Sequence, residues 1–168
     1  ETALQCIGIP KTVDNDLPFT DCSPGFGSVA KYVATSTLEA GLDVKSMAET
    51  STKVFILEVM GRNAGWIAAS STLAGNENED PPHIILLPEV IFNKTNFLKT
   101  VKETIKRFGY CVVVASEGVK YKNGKFLADS GSVDSFGHKQ LGGVAPVLAE
   151  MVSKIGLKNH WAVADYLQ

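Results

Sequence analysis

The chain has 168 residues, 45% of them apolar and 20% charged, and carries a formal net charge of −2 at pH 7. That is enough for about one domain with its own core, and the near-neutral balance excludes any charge-based case for nucleic acid or a membrane surface as partner. No apolar run approaches the roughly 20 residues that span a bilayer, and no cationic start followed by an apolar stretch marks a secretory leader.

In chain order, the apolar run LQCIGI, residues 4–9, reads as a buried strand that Pro10 breaks. Val29, Ala30, Val33, Ala34, Thr37 and Leu38 recur at helical spacing and predict a helix over 24–47, with Ser23 as N-cap and Pro24 in the first turn. A strand over 53–59 follows, then a helix over 63–74 that buries Ile67, Ala68 and Ser71 and stops at Gly75. Residues 75–82 form a polar loop before a strand over 83–87. Leu98, Val101, Ile105 and Phe108 mark a third helix, which Asn93 can cap and Gly109 ends. A strand over 110–115 comes next, then a glycine-, serine- and charge-rich surface excursion over 120–143. The last elements are a helix over 144–155, with Pro146 in its first turn and Gly156 beyond it, and a strand over 161–166. The strands are continuous apolar runs, as in a parallel sheet covered on both sides. Strands alternating with helices predict an α/β fold, a doubly wound parallel sheet with helices on both faces.

The three cysteines, Cys6, Cys22 and Cys111, are an odd and sparse set, which points to reduced thiols and a cytoplasmic setting. His83, His138 and His160 are far apart and lack ligand spacing, so no zinc site is expected.

In open α/β sheets ligands bind outside the carboxyl ends of the strands, and polar residues gather at such ends here. After the first run comes GIPKTVDND, residues 8–16. Lys11 and Thr12 beside Asp14 and Asp16 can hold an oxyanion and a divalent metal, and can supply a carboxylate that takes a proton from a hydroxyl. Taken alone, Asp-Asn-Asp also suits a plain turn. The second strand end reads EVMGRNAGW, residues 58–66. Gly61 lets the backbone approach a ligand, and Arg62 near a helix start favours an anion such as a phosphate ester. An arginine there is also an ordinary solvated residue. Ser116-Glu117-Gly118 places Glu117 where it can accept hydrogen bonds from sugar hydroxyls, or stand as an exposed strand-end acid.

At this point the sequence resembles the phosphofructokinase family over essentially its whole length. GIPKTVDND is similar to the family's catalytic strand end, G-T-I-D-N-D or K-T-I-D-N-D. EVMGRNAGW is similar to its sugar-phosphate motif, SEG to its substrate-binding acid, and ADYLQ to the front of a late aromatic-then-arginine motif. By position, the resemblance implies Asp14 as the base that deprotonates the sugar 1-hydroxyl, and Thr12 as a contact to the acceptor sugar or transferred phosphoryl group. It implies Asp16 as a ligand of Mg²⁺ or a positioner of the nucleophile. Met60, Gly61 and Arg62 would line a fructose 6-phosphate pocket, with Glu117 on sugar hydroxyls and Tyr166 at the sugar-phosphate end. Lys53 stands where the family often has an arginine that reaches a neighbouring subunit's sugar phosphate.

Lys11 bears on the phosphoryl donor. Bacterial ATP-dependent members usually have glycine there, pyrophosphate-dependent members lysine, and some ATP-using relatives also carry lysine. The resemblance therefore implies transfer from pyrophosphate to fructose 6-phosphate in glycolysis, with ATP as the alternative donor and a non-catalytic sugar-phosphate-binding paralogue as a third reading. It further implies a homo-oligomer. The family's first half-domain, with its glycine-rich donor loops, has no counterpart here. Residues 1–22 are expected to be the end of the donor-side domain and 23–168 a C-terminally truncated sugar-phosphate domain, a fragment inactive alone.

Overall fold

Two strands with hardly a polar side chain between them set the architecture: β1, Val54–Val59, and β3, Cys111–Ser116. β3 is buried at every position. Such strands need cover on both faces, and each buried valine contributes about 1.5–3 kcal/mol relative to an exposed one. The computed structural model describes residues 3–77, 79–133, 139–141 and 143–168. In it β1 and β3 pair in parallel, flanked by β2 (Ile84–Leu86) on β3 and β6 (Asn159–Val163) on β1, in the order β2-β3-β1-β6.

Helices cover both faces. Val54, Ile56, Cys111, Val113 and Ala115 point to one side and pack with α3 (Lys94–Phe108) and α4 (Val144–Ser153). Leu57, Val59 and Val114 point to the other, against α1 (Phe26–Met47) and α2 (Trp66–Ser70). This is the period of two that a strand imposes. The expected doubly wound parallel sheet is present.

Local chemistry explains the element ends. Asn93 Oδ1 accepts the Asn96 N–H at 3.0 Å and caps α3, and Gly109 ends it in the left-handed region. Ser23 does not cap α1. The N-cap is Gly25, and the Ser23 N–H is taken by Asn15 at 2.8 Å. The helix expected over 63–74 is shorter: five α residues, then a 3-10 turn, Ser71–Ala74. Ser70, Ser71 and Thr72 each donate a hydroxyl to the carbonyl three residues back, which competes with regular helix geometry.

Three further expectations are corrected. Residues 4–9 are not a buried strand; they pair with nothing in the sheet, and Leu4, Ile7 and Ile9 are 86%, 92% and 80% exposed. The last strand begins at Asn159 and ends at Val163, and Asp165–Leu167 is a 3-10 turn, because the chain turns once Ala164 has bonded to β1. Part of the excursion over 120–143 is an antiparallel pair, β4 (Asp129–Val133) with β5 (Lys139–Leu141). The rest of that loop at 134–138, including His138, lies outside the described residues, as does position 142. Among the described residues no helix is long and apolar enough to cross a membrane.

Candidate active site

The site forms where the strand order turns. From β1 the chain leaves over the α1/α2 face toward β2, and from β3 over the opposite face, through α4, toward β6. The loops after these adjacent strands diverge and leave a crevice at the carboxyl edge of the sheet. The strand ends are level: Glu117 N–H donates to the Val59 carbonyl and Ala164 N–H to the Glu58 carbonyl, both at 2.9 Å. A cleft of about 270 Å³ opens there. Asp14, Met60, Arg62, Glu117 and Tyr166, all anticipated from sequence, line it together with Glu58, Val59, Val163 and Asp165.

Asp14 reaches the cleft without a strand to carry it. Its N–H donates to Thr12 Oγ1 at 3.2 Å. Val13 packs against the α1/α2 core. Asn15, 7% exposed and in the left-handed region with φ 55°, accepts the Ser23 N–H and donates to the Asp21 carbonyl at 3.2 Å. The middle residue of Asp-Asn-Asp is thus a structural pin that turns Asp14 inward. Asp16 is exposed and borders a neighbouring groove with Asp21, Asn63 and Trp66.

Arg62 is held by a loop that depends on two glycines. Gly61 has φ +123°. A Cβ on Gly118 would stand 2.1 Å from the Arg62 carbonyl oxygen. Ser116 joins the two loops: its hydroxyl donates to the Gly61 carbonyl and accepts the Gly118 N–H at 3.1 Å. The close approach expected of Gly61 toward a ligand is made, in this chain, to its own backbone, since a Cβ there would meet the Ala64 carbonyl at 2.5 Å.

The electrostatics tie three groups together. Burial pushes the Asp14 carboxyl above its ordinary range and Asp16 adds to this, while Arg62 and Lys11 pull it back. Burial also raises Glu117; Arg62 opposes this, Asp14 and Asp165 reinforce it, and a hydrogen bond from the Gly61 N–H opposes it. One guanidinium therefore acts on both acids. Asp14 Oδ1 and Arg62 Nε are buried without hydrogen-bond partners, as expected of groups aimed at a ligand.

The other anticipated residues are placed as follows. Lys11 is exposed and acts on Asp14 through space, and Thr12 is half-buried. Tyr166 is 91% exposed on the 3-10 turn. Lys53 is not in the cleft. It precedes β1, at the opposite edge of the sheet, about 20 Å away at roughly 3.3 Å per strand residue, and it donates to the Ala48 carbonyl behind α1. Asp16, exposed beside the cleft, offers one hard carboxylate, and among the described residues no group of three or more His, Cys, Asp or Glu could hold a metal. One or two carboxylates completed by substrate phosphates is the donor set Mg²⁺ takes, so the residues fit that ion.

Three residues of the site were not anticipated: Asn15, Glu58 and Asp165. Glu58 left a signal, an acid inside the run VFILEV. Asp165, with φ 41°, left none.

Residues 1–163 match the family model described as Phosphofructokinase. The chain is 64% identical over 166 residues to the pyrophosphate--fructose 6-phosphate 1-phosphotransferase of Halomonas elongata, covering 98% of this chain and 40% of that protein. It is 59% identical, with the same coverage, to the protein of that name from Methylococcus capsulatus. The crystal structure of a pyrophosphate-dependent phosphofructokinase from Marinobacter aquaeolei matches with a TM-score of 0.82 at 62% identity, over 96% of this chain and 37% of that one. The chain spans about 40% of the length of the curated relatives it matches. With its motifs, its parallel sheet and a match over nearly all its residues, the chain belongs to the phosphofructokinase family.

Proposed function

We propose that this chain is the sugar-phosphate part, with the catalytic carboxylate, of a cytoplasmic glycolytic phosphotransferase that moves a phosphoryl group from pyrophosphate to the 1-hydroxyl of fructose 6-phosphate. The observation that carries the assignment is the convergence of Asp14, Arg62 and Glu117 on one cleft. The names borne by relatives at 64% and 59% identity support the same donor and acceptor.

Arg62, with Met60, binds the sugar phosphate, Gly61 lets the loop between them turn, Glu117 accepts from sugar hydroxyls, and Tyr166 closes the outer side. Asp14 takes the proton of the 1-hydroxyl as its oxygen bonds to phosphorus; the bridging P–O bond of pyrophosphate breaks and orthophosphate leaves. Thr12 orients the Asp14 loop, and Lys11 steadies negative charge on the transferring group. Asp16 would hold Mg²⁺, which when bound neutralises charge on the donor phosphates. Lys53, at the far edge, is assigned to a sugar phosphate held by a second copy of the chain in a homo-oligomer.

The test is Asp14→Asn in the full-length protein. Removing a general base costs about 10²–10⁴ in rate, so kcat should fall by that much while fructose 6-phosphate binding persists. A kcat close to wild type would end the assignment. Donor competition separates the two donors: preference for ATP over pyrophosphate would move this chain to the ATP-dependent branch.

A further inference from the structure

Among the described residues Glu58 is the only charged side chain that is buried, at 5% exposure. It lies in β1, a strand otherwise built of Val, Phe, Ile and Leu. Its Oε2 accepts the Ala145 N–H at 2.8 Å, and the Val144 N–H also donates to the carboxylate. These are the first two amides of α4. That helix has no cap of its own: Gly143 precedes it, and its first turn carries no acid. Val144 and Ala145 are both 0% exposed, so their amides cannot turn to water.

A serine or aspartate at position 143 would meet that need locally. Instead the acceptor comes from 87 residues away. It comes from the strand whose next residues are Val59, Met60, Gly61 and Arg62. The Glu58 backbone carbonyl also accepts the Ala164 N–H at 2.9 Å, which fixes the end of β6 just before Asp165 and Tyr166. The side chain itself lines the cleft beside Arg62 and Glu117. One residue therefore joins three elements, β1, α4 and β6, at the wall of the site.

We infer that Glu58 is a positioning residue: by receiving the first amides of α4 it fixes where β1 ends, and so places Met60 and Arg62 against the sugar phosphate. The inference rests on the assignment of fructose 6-phosphate to this cleft. A cap that served stability alone would leave substrate affinity unchanged when weakened; a positioning residue would not.

Two mild variants of the full-length protein separate these roles. Glu58→Gln keeps an acceptor oxygen at the same reach and loses the charge. Glu58→Asp keeps the charge and withdraws it by one methylene. With folding checked by thermal unfolding, Glu58→Gln should hold the KM for fructose 6-phosphate within about threefold, while Glu58→Asp raises it about tenfold or more at nearly unchanged kcat, the pattern of lost binding that is common to ground and transition state. Calorimetry with fructose 6-phosphate should show the same order. A folded Glu58→Asp with the wild-type KM, or equal impairment of both variants, would overturn the inference alone. A wild-type protein that binds no fructose 6-phosphate would overturn the assignment of the cleft, and this inference with it.

Discussion

Asn15 Oδ1 accepts the backbone N–H of Ser23 at 2.8 Å, eight residues along the chain, and closes the loop that presents Asp14 to the cleft. The same side chain donates to the Asp21 carbonyl, so both faces of the amide are used. Asn15→Ala leaves the Ser23 N–H in a buried setting without a partner, which costs about 1–3 kcal/mol. Alanine also tolerates the left-handed backbone less well than asparagine. We expect a lower Tm and, because Asp14 is the adjacent residue, a kcat reduced by at least tenfold, of order 10²-fold for a misplacement near 1 Å. Steady-state assay with thermal unfolding on the full-length protein checks both; a destabilised variant with full kcat would show that the pin does not place the base.

Gly118 faces the Arg62 carbonyl so closely that Gly118→Ala would put a Cβ 2.1 Å from a backbone oxygen. A backbone atom in a loop already tied by Ser116 cannot step aside as a flexible side chain would. Overpacking of this kind costs about 1–3 kcal/mol, and the displaced group is Arg62. The expected outcome is a lower Tm together with weaker fructose 6-phosphate binding. Gly27→Ala is the matched control. It lies in α1 with nothing within 4 Å of the added Cβ, and should stabilise slightly, by up to about 1 kcal/mol.

The cysteines should separate by reactivity. Cys6 and Cys22 are exposed, whereas Cys111 is buried within β3 and burial pushes its thiol up to about 12. Since the thiolate is the reacting species, a colourimetric thiol reagent should titrate Cys6 and Cys22 in the native 168-residue chain. Cys111 should react only after denaturant is added. Rapid modification of all three in native buffer would contradict the burial of β3.

What the sequence revealed depended on how local the governing physics is. Asn93 and Gly109 were legible because a cap and a stop are settled by neighbouring atoms. β1 and β3 were legible because short, β-branched apolar runs between helical patterns suit strands buried on both faces. Residues 4–9 have the same composition yet lie exposed, since an apolar run records a need for cover and not whether these residues supply it. Ser23 looked like a cap by residue type and place, but α1 starts two residues later than expected, after Gly25, and the Ser23 N–H is engaged by Asn15 from eight residues upstream. The meeting of Arg62 and Glu117 followed from their strand-end positions, because parallel strands deliver their carboxyl ends to one edge, whereas Asp14 joins them from a loop held by Asn15 and Ser23 and not from the strand the sequence suggested. The roles of Glu58 and Asn15 were not legible: their partners, α4 and Ser23, are brought to them by the fold.

The pH dependence of stability turns on His83. Its Nδ1 accepts the Val112 N–H at 3.0 Å while its own backbone N–H donates to the Val112 carbonyl at 2.9 Å, so the ring takes the place of a backbone acceptor beside β3. An imidazolium has a hydrogen on both ring nitrogens, and would set its Nδ1–H against the Val112 N–H in a half-buried place. Burial lowers the His83 pKa below its ordinary value, with Lys45 adding to it and the Glu79 backbone and Asp80 opposing it. The unfolded chain therefore takes up the proton first, and stability present above about pH 6.5 is lost as pH falls through that value toward the folded pKa. Asp14, Glu58 and Glu117 act in the opposite sense, because burial raises their carboxyls and protonation then favours the folded state. Replacing only the ring isolates the histidine contribution. His83→Asn should be less stable than wild type at pH 8, with a visibly flatter loss of denaturation midpoint between pH 7 and pH 5. Parallel curves for the two proteins over that interval would mean that His83 is not the titrating group.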